Sequence, residues 1–160
     1  MQRADQHVDV GGGSGTLLRA VLERAPSADV VLFDQPAVVA GSDLPAVGGD
    51  FFTEVPAGAD AYLLSRVLHD WDDDAARRVL QVCRAAMRPD SVLLVVEAVL
   101  PERAVDDPAA VRMDLHVLVL LSGRERTAAE YAALCAAAGL RLTRDVPTDA
   151  GVHVLEVRPA

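Results

Sequence analysis

The chain reads as an α/β protein with a mostly parallel sheet and a C-terminal antiparallel strand pair. Three observations carry this. Short apolar runs recur, each stopped by turn residues. Stretches with apolar residues at helical spacing separate them, so successive strands need crossover connections, which pair strands in parallel and put helices on both faces. Near the end, LRLTRDV and VHVLEVR are joined through PTDAG, the pattern of a hairpin.

HVDV (7–10) is an apolar run that stops at glycines, a buried strand. GTLLRAVLERA (15–25) sets Leu17, Leu18, Val21 and Leu22 on one helical face. VVLFD (30–34) is the second strand and ADAYLLS (59–65) the next clear one; GSDLPAVGGD between them leaves little room for a helix and a strand, so this edge reads as trimmed. Residues 73–88 form a helix with Ala76, Val79, Leu80, Cys83 and Met87 on one stripe. SVLLVVE (91–97) is another buried strand. Helices follow near 108–121 and over 127–138, the second ending at Gly139.

With 160 residues the chain is sized for one domain, residues 1–160. It can bury roughly 70% of its unfolded surface without disulfide staples. Cys83 and Cys135 lie in helical stretches and read as core thiols of a reducing, cytoplasmic protein. The N-terminus lacks the apolar segment of a signal peptide, and no apolar run approaches the ~18 residues of a membrane span. A net charge of -9 argues against nucleic acid and anionic lipid as partners.

In parallel α/β folds the ligand sits at the carboxyl ends of the strands. Gly11 to Gly15, Asp34, Asp50, Ser65 to His69 and Glu97 therefore hold the chemistry. Gly11, Gly13 and Gly15 stand between a strand and a helix, where the backbone can approach a ligand and the helix start offers free N–H groups. Asp34 can accept both ribose hydroxyls of a nucleoside; Asp50 with Phe51 suits an adenine edge and face. The structural alternatives are a tight turn, a helix cap and a loop acid. The dinucleotide fingerprint G-x-G-x-x-G would need glycine at position 16, which is Thr16. The spacing here is G-x-G-x-G, and no second mononucleotide half follows. S-adenosylmethionine, which carries a cationic sulfonium and no phosphate, fits these acids better.

VDVGGGSG, LFDQP, GGDFF, LHDWDDD, VVEAVLP and SGRERTAAEY occur in one order over nearly the whole chain. In this the sequence resembles plant caffeate-type and bacterial antibiotic-type S-adenosylmethionine-dependent O-methyltransferases. The resemblance implies a Rossmann-like class I methyltransferase fold and methyl transfer to a hydroxyl of a small aromatic or polyketide-type acceptor. By motif, Gly11 and its loop with Gly13 match the donor-contacting glycines, Asp34 the ribose acid, Asp50 and Phe51 the adenine pair, and Ser65 a donor contact that is lysine in plant members. His69 matches the catalytic base; Glu97 and Glu125 match the acids that flank it. Members usually carry an N-terminal helical domain that dimerises and covers the acceptor. Its absence here implies that this cover is missing or comes from another chain, through a homodimer or a separate helical subunit.

Imidazole has an ordinary pKa near 6.5 and can take a proton from a phenol. The alternative for His69 is a hydrogen-bonded loop residue; for Glu97, a solvated strand end; for Glu125, between Arg124 and Arg126, a surface ion pair. No metal is expected: Asp72 reads as an N-cap, and Asp73 and Asp74 as first-turn acids pointing into water. Trp71 is expected to pack under the loop. His7, His116 and His153 are expected in core or surface roles. The rivals are a donor-binding homologue that does not methylate, a module needing a partner subunit, and a dehydrogenase.

Overall fold

A computed structural model describes residues 5–103, 105–106, 108–121 and 123–160. The element order is β1 (Gln6–Val10), α1 (Thr16–Arg24), β2 (Asp29–Asp34), α2 (Pro36–Val39), β3 (Ala46–Gly48) and β4 (Ala61–Ser65). A 3₁₀ turn (Leu68–Asp70), α3 (Asp73–Ala86), β5 (Val92–Glu97), β6 (Val99–Leu100) and α4 (Pro108–Leu121) follow. β7 (Arg126–Thr127), α5 (Ala128–Ala137), β8 (Leu140–Pro147) and β9 (His153–Pro159) complete the chain.

The main sheet runs β3-β2-β1-β4-β5-β9-β8. Its first five strands are parallel, β9 lies antiparallel to β5, and β8 pairs antiparallel with β9 at the edge. This is the expected sheet with its C-terminal pair. The strand order reverses at β1 and β4, so the crevice at their carboxyl ends is the topological switch point, where a ligand is expected. The compressed segment after β2 holds both elements it had to hold: a four-residue helix and a three-residue strand, with Gly49 N–H donating to the Asp34 carbonyl at 2.9 Å. Not foreseen is the short parallel pair β6–β7, which sets Val99 opposite Arg126 and Leu100 opposite Thr127. It ties the chain after β5 to the loop before α5.

The core follows the predicted patterns. Ala76, Val79, Leu80, Cys83 and Met87 of the α3 stripe are all buried against Val8, Val10, Tyr62, Leu64, Leu93 and Val95. α1 contributes less than its face predicted: only Leu18 is fully buried, packing with Val30 and Leu32. Asp72 caps α3 by accepting from Ala75 N–H at 2.9 Å. Thr127 and Glu130 form a capping box that starts α5. Both cysteines are buried free thiols. No helix among the described residues is long and apolar enough to cross a membrane.

Candidate active site

The glycine loop turns on three left-handed residues, Gly11 (φ 72°), Gly13 (φ 58°) and Gly15 (φ 79°). Gly11 N–H donates to the Phe33 carbonyl at 2.8 Å, fixing the loop at the tip of β2. A Cβ on Gly11 would lie 2.9 Å from Val67 Cγ2 and 3.5 Å from the Phe51 ring, so this glycine is where the loop, Phe51 and the turn that carries His69 meet. Asp34 accepts from Gly13 N–H at 2.8 Å through Oδ2 and from Gln35 N–H at 2.7 Å through Oδ1. A carboxylate can accept about four hydrogen bonds, so two positions on Asp34 stay open for hydroxyls.

Beside Asp34 lies a cavity of about 730 Å³ lined by Gln35, Pro36, Ala37, Gly49, Asp50, Phe51, Phe52 and Trp71. Its size lies in the range of small-molecule sites. Asp50 is exposed there and accepts from Phe52 N–H at 2.9 Å. Phe51, Phe52 and Trp71 pack edge to face, with Phe52 and Trp71 centroids 4.7 Å apart. The indole of Trp71 thus joins the cavity wall. Ser65 ends β4 opposite Val96, at the strand tip expected of it.

Arg66, next in the chain, has φ 55°, a left-handed conformation unusual for a side-chain-bearing residue. It turns the chain from β4 into the 3₁₀ turn that carries His69. His69 is buried and its Nδ1 lies 2.7 Å from Glu97 Oε2. The other oxygen of Glu97 accepts from Val67 N–H at 2.9 Å and Leu68 N–H at 2.8 Å. With that carboxylate committed as an acceptor, the bond selects the imidazole tautomer protonated at Nδ1 and leaves Nε2 basic. Nε2 sits 3.2 Å from Asp70 Oδ1. The hydrogen bond to Glu97 raises the His69 pKa above its ordinary value, burial opposes this, and the charges of Glu97, Glu125 and Asp70 add to the rise.

Glu125 is 2% exposed, its Oε2 has no hydrogen-bond partner, and its N–H donates to Asp114 Oδ1 of α4 at 2.8 Å. Burial raises its pKa, with His69 pulling it down and Glu97 pushing it up. The surface ion-pair alternative for Glu125 fails because the strap between α4 and α5 folds inward over the base turn, carrying Arg126 with it to 1% exposure. Glu97, at 0%, is likewise no solvated strand end. Asp73 is exposed in the first turn of α3 as expected, and it also accepts from Arg126 Nε at 2.9 Å. His69, Glu97 and Glu125 each offer an atom within 4.8 Å of the others. The Glu97 oxygens and Nδ1 are already engaged with one another and with the Val67 and Leu68 amides, which fixes the orientation of the imidazole.

Two residues of this region were missed by sequence reasoning. In the sequence Arg126 figures only as a neighbour of Glu125, in the surface ion-pair alternative for that acid. Asp9, in the middle of β1, is 1% exposed with both oxygens unpartnered, and burial followed by the charge of Asp34 raises its pKa to about 6. An acid inside an apolar strand directly before a glycine loop was the available signal. The remaining histidines lie elsewhere: His116 is exposed on α4, His153 pairs with Asp145 at 2.5 Å, and His7 lies half-buried on β1.

The fold is that of a class I methyltransferase, and the comparisons agree. A family model for the O-methyltransferase domain matches residues 1–141, and the chain belongs to this family. It is 46% identical to phenazine O-methyltransferase PhzM of Lysobacter antibioticus over 164 residues, covering 95% of this chain and 48% of that protein. It is 42% identical to mitomycin biosynthesis 6-O-methyltransferase of Streptomyces lavendulae, covering 96% and 47%. The chain thus spans about half the length of the curated relatives it matches. Among solved structures it superposes, with TM-score 0.87 and 36% identity, on an O-methyltransferase (NcsB1) from neocarzinostatin biosynthesis, solved with S-adenosylmethionine and 2-hydroxy-5-methyl naphthoic acid. That match covers 97% of this chain and 49% of that one.

Proposed function

We propose that this chain is the S-adenosylmethionine-binding domain of an O-methyltransferase that methylates a hydroxyl of a small aromatic or polyketide-type acceptor, with His69 as general base. The single observation that carries the reading is the His69 imidazole held by Glu97 at 2.7 Å at the same strand ends as the glycine loop. The residues fit the donor: a Cβ on Gly13 would meet nothing within 4 Å, so the loop is open there, Asp34 has open acceptor positions for ribose hydroxyls, and Asp50 and Phe51 line a cavity large enough for the adenosine. Ser65, at the strand tip, is the remaining donor contact. Bound there, S-adenosylmethionine supplies an electrophilic methyl group on a sulfonium leaving group.

Nε2 of His69 takes the acceptor's hydroxyl proton and so exposes the oxygen as the nucleophile. Glu97 holds the tautomer and stabilises the imidazolium that results. Glu125 flanks the ring and adds charge stabilisation when ionised. Because the base must be neutral, the rate falls as pH drops through the raised His69 pKa. The acceptor is covered by helical structure outside these residues, from the same protein, a second copy or a separate subunit. The exposed Leu115, Leu118 and Val119 of α4 support a cover on that side. The free thiols Cys83 and Cys135 support a cytoplasmic setting.

The test incubates the full chain with S-adenosylmethionine and a panel of phenols that includes 2-hydroxy-5-methyl naphthoic acid. One acceptor gains one methyl group. His69→Gln lowers kcat by roughly 10²–10⁴ and leaves donor affinity, measured by calorimetry, within about twofold. Full activity in His69→Gln removes the base assignment. Donor binding without any methylated product removes methylation by this chain alone and favours a non-methylating homologue or a module that needs its cover.

A further inference from the structure

The turn that carries His69 is held from two sides. Glu97 holds its amide side, through Val67 and Leu68 N–H. Its carbonyl side is held by Arg126, whose guanidinium is 1% exposed. Nη1 donates to the Leu68 carbonyl at 3.0 Å and to the Arg124 carbonyl at 3.2 Å. Nη2 donates to the Trp71 carbonyl at 2.9 Å, and Nε to Asp73 Oδ1 at 2.9 Å. Leu68 and Trp71 bracket the His69–Asp70 dipeptide. A buried guanidinium is unfavourable unless its N–H groups find partners. Here its partners are the backbone on either side of the base and the first turn of α3.

Three further contacts make this a built device. The strap passes so close to the turn that a Cβ on Gly123 would lie 2.0 Å from the His69 carbonyl oxygen and 2.5 Å from the Asp70 carbonyl carbon. The β6–β7 pair sets Arg126 opposite Val99, two residues after Glu97, so both clamps hang from one strand junction. Arg124, also on the strap, reaches Asp73 Oδ2 at 3.3 Å and pairs with Glu130. A role limited to joining α3 to the strap would need only the Asp73 pair; the two carbonyls around His69 go beyond it.

We infer that Arg126 is a positioning residue for His69. By fixing the Leu68 and Trp71 carbonyls it keeps the imidazole with Nδ1 on Glu97 and Nε2 on the side of the half-exposed Asp70. The inference rests on the reading of His69 as the base.

The test uses the full chain with ¹⁵N-labelled histidine, as parent, Arg126→Met and Arg126→Lys. Recorded at a pH above the raised His69 pKa, the parent gives a ring spectrum of the single Nδ1–H tautomer. Arg126→Met gives mixed tautomers or exchange-broadened ring signals. With the phenol of the panel that is methylated fastest, it lowers kcat by roughly 10- to 100-fold, because a small misplacement of a reacting group costs about that much. The donor KM stays within about twofold. Arg126→Lys recovers part of both, since an ammonium can still donate to one of the carbonyls.

A parental ring spectrum with parental kcat in Arg126→Met overturns the inference, and so does a loss that falls on the donor KM alone. If Arg126→Met does not fold, Arg126→Lys and Asp73→Asn are read by the same criteria, and parental values in both overturn it. Should His69→Gln keep full activity, the base reading fails, while the His69 ring spectrum in the Arg126 variants still decides the positioning role.

Discussion

The glycine loop and the base turn are made from opposite materials. The loop is built from main chain: left-handed glycines whose amides donate to the Phe33 and Gly12 carbonyls and to Asp34, with two acids left accessible, Asp34 half-buried and Asp50 exposed. The base turn is made of buried side chains, His69, Glu97, Glu125 and Arg126, whose partners lie far apart in sequence. A site that must admit and release a diffusible nucleoside keeps spare acceptors in contact with water. A site that must keep one proton on one ring nitrogen is dry, with its donors assigned. Each side also holds a buried acid with an oxygen that has no hydrogen-bond partner among the described residues, Asp9 under the loop and Glu125 beside His69.

The largest expected effect breaks the base side alone. In Glu97→Gln the side-chain oxygen can still accept from Val67 and Leu68 N–H, but the amide NH₂ now faces Nδ1. The ring turns to the other tautomer, with Nε2 protonated and useless as a base. A fall in kcat of roughly 10³–10⁴ is expected, at donor affinity close to the parent's. Since the Glu97 hydrogen bond is the main cause of the raised His69 pKa, any residual activity loses its acidic limb at lower pH than the parent. A modest, pH-neutral loss would mean that the tautomer is set by some other group.

Next in size is an effect on stability, confined to the loop side. Asp9 is raised from 3.8 to about 6. Below pH ~4 it is protonated in both folded and unfolded chains. Between ~4 and ~6 the unfolded chain ionises first, so stability falls as pH rises. Above ~6 the full cost, roughly 3 kcal/mol, is present. Asp9→Asn keeps the shape and removes the charge. Its melting temperature should match the parent's near pH 4 and exceed it by roughly 6–12 °C at pH 8. A gap that does not change with pH would show that Asp9 finds a partner in solution.

The contrast between the two sides also explains what could be read from sequence. The loop glycines, Asp34 and the parallel strands follow from local pattern, because turn chemistry and strand ends are written in adjacent residues. His69 and its two acids were reachable through the order of the motifs. The clamp was not: Arg126 and Leu68 are 58 residues apart, and an arginine beside Arg124 and Glu125 looks like solvated charge until the strap is seen to fold inward. Asp9 alternates with Val8 and Val10, and a strand's period of two cannot tell a solvent face from a second buried face under a helix. The β6–β7 pair was too short to leave a pattern.

The smallest effect sharpens the comparison from the donor side. Asp34 holds the Gly13 and Gln35 amides, and in the proposed function its remaining positions take the ribose hydroxyls. Asp34→Asn keeps one carbonyl oxygen, so one of the amides loses its acceptor and the charge-assisted bonds to hydroxyls are gone. Hydrogen bonds to a charged group contribute ~1.5–3 kcal/mol, so donor Kd should rise by roughly 10- to 100-fold. At saturating donor, kcat should stay within about threefold of the parent, because His69 and Glu97 contact neither Gly13 nor Gln35. The measurement is calorimetric Kd set beside kcat at saturation. A kcat that falls with the affinity would mean that the glycine loop also aligns the base, and that the wet and dry sides act as one unit.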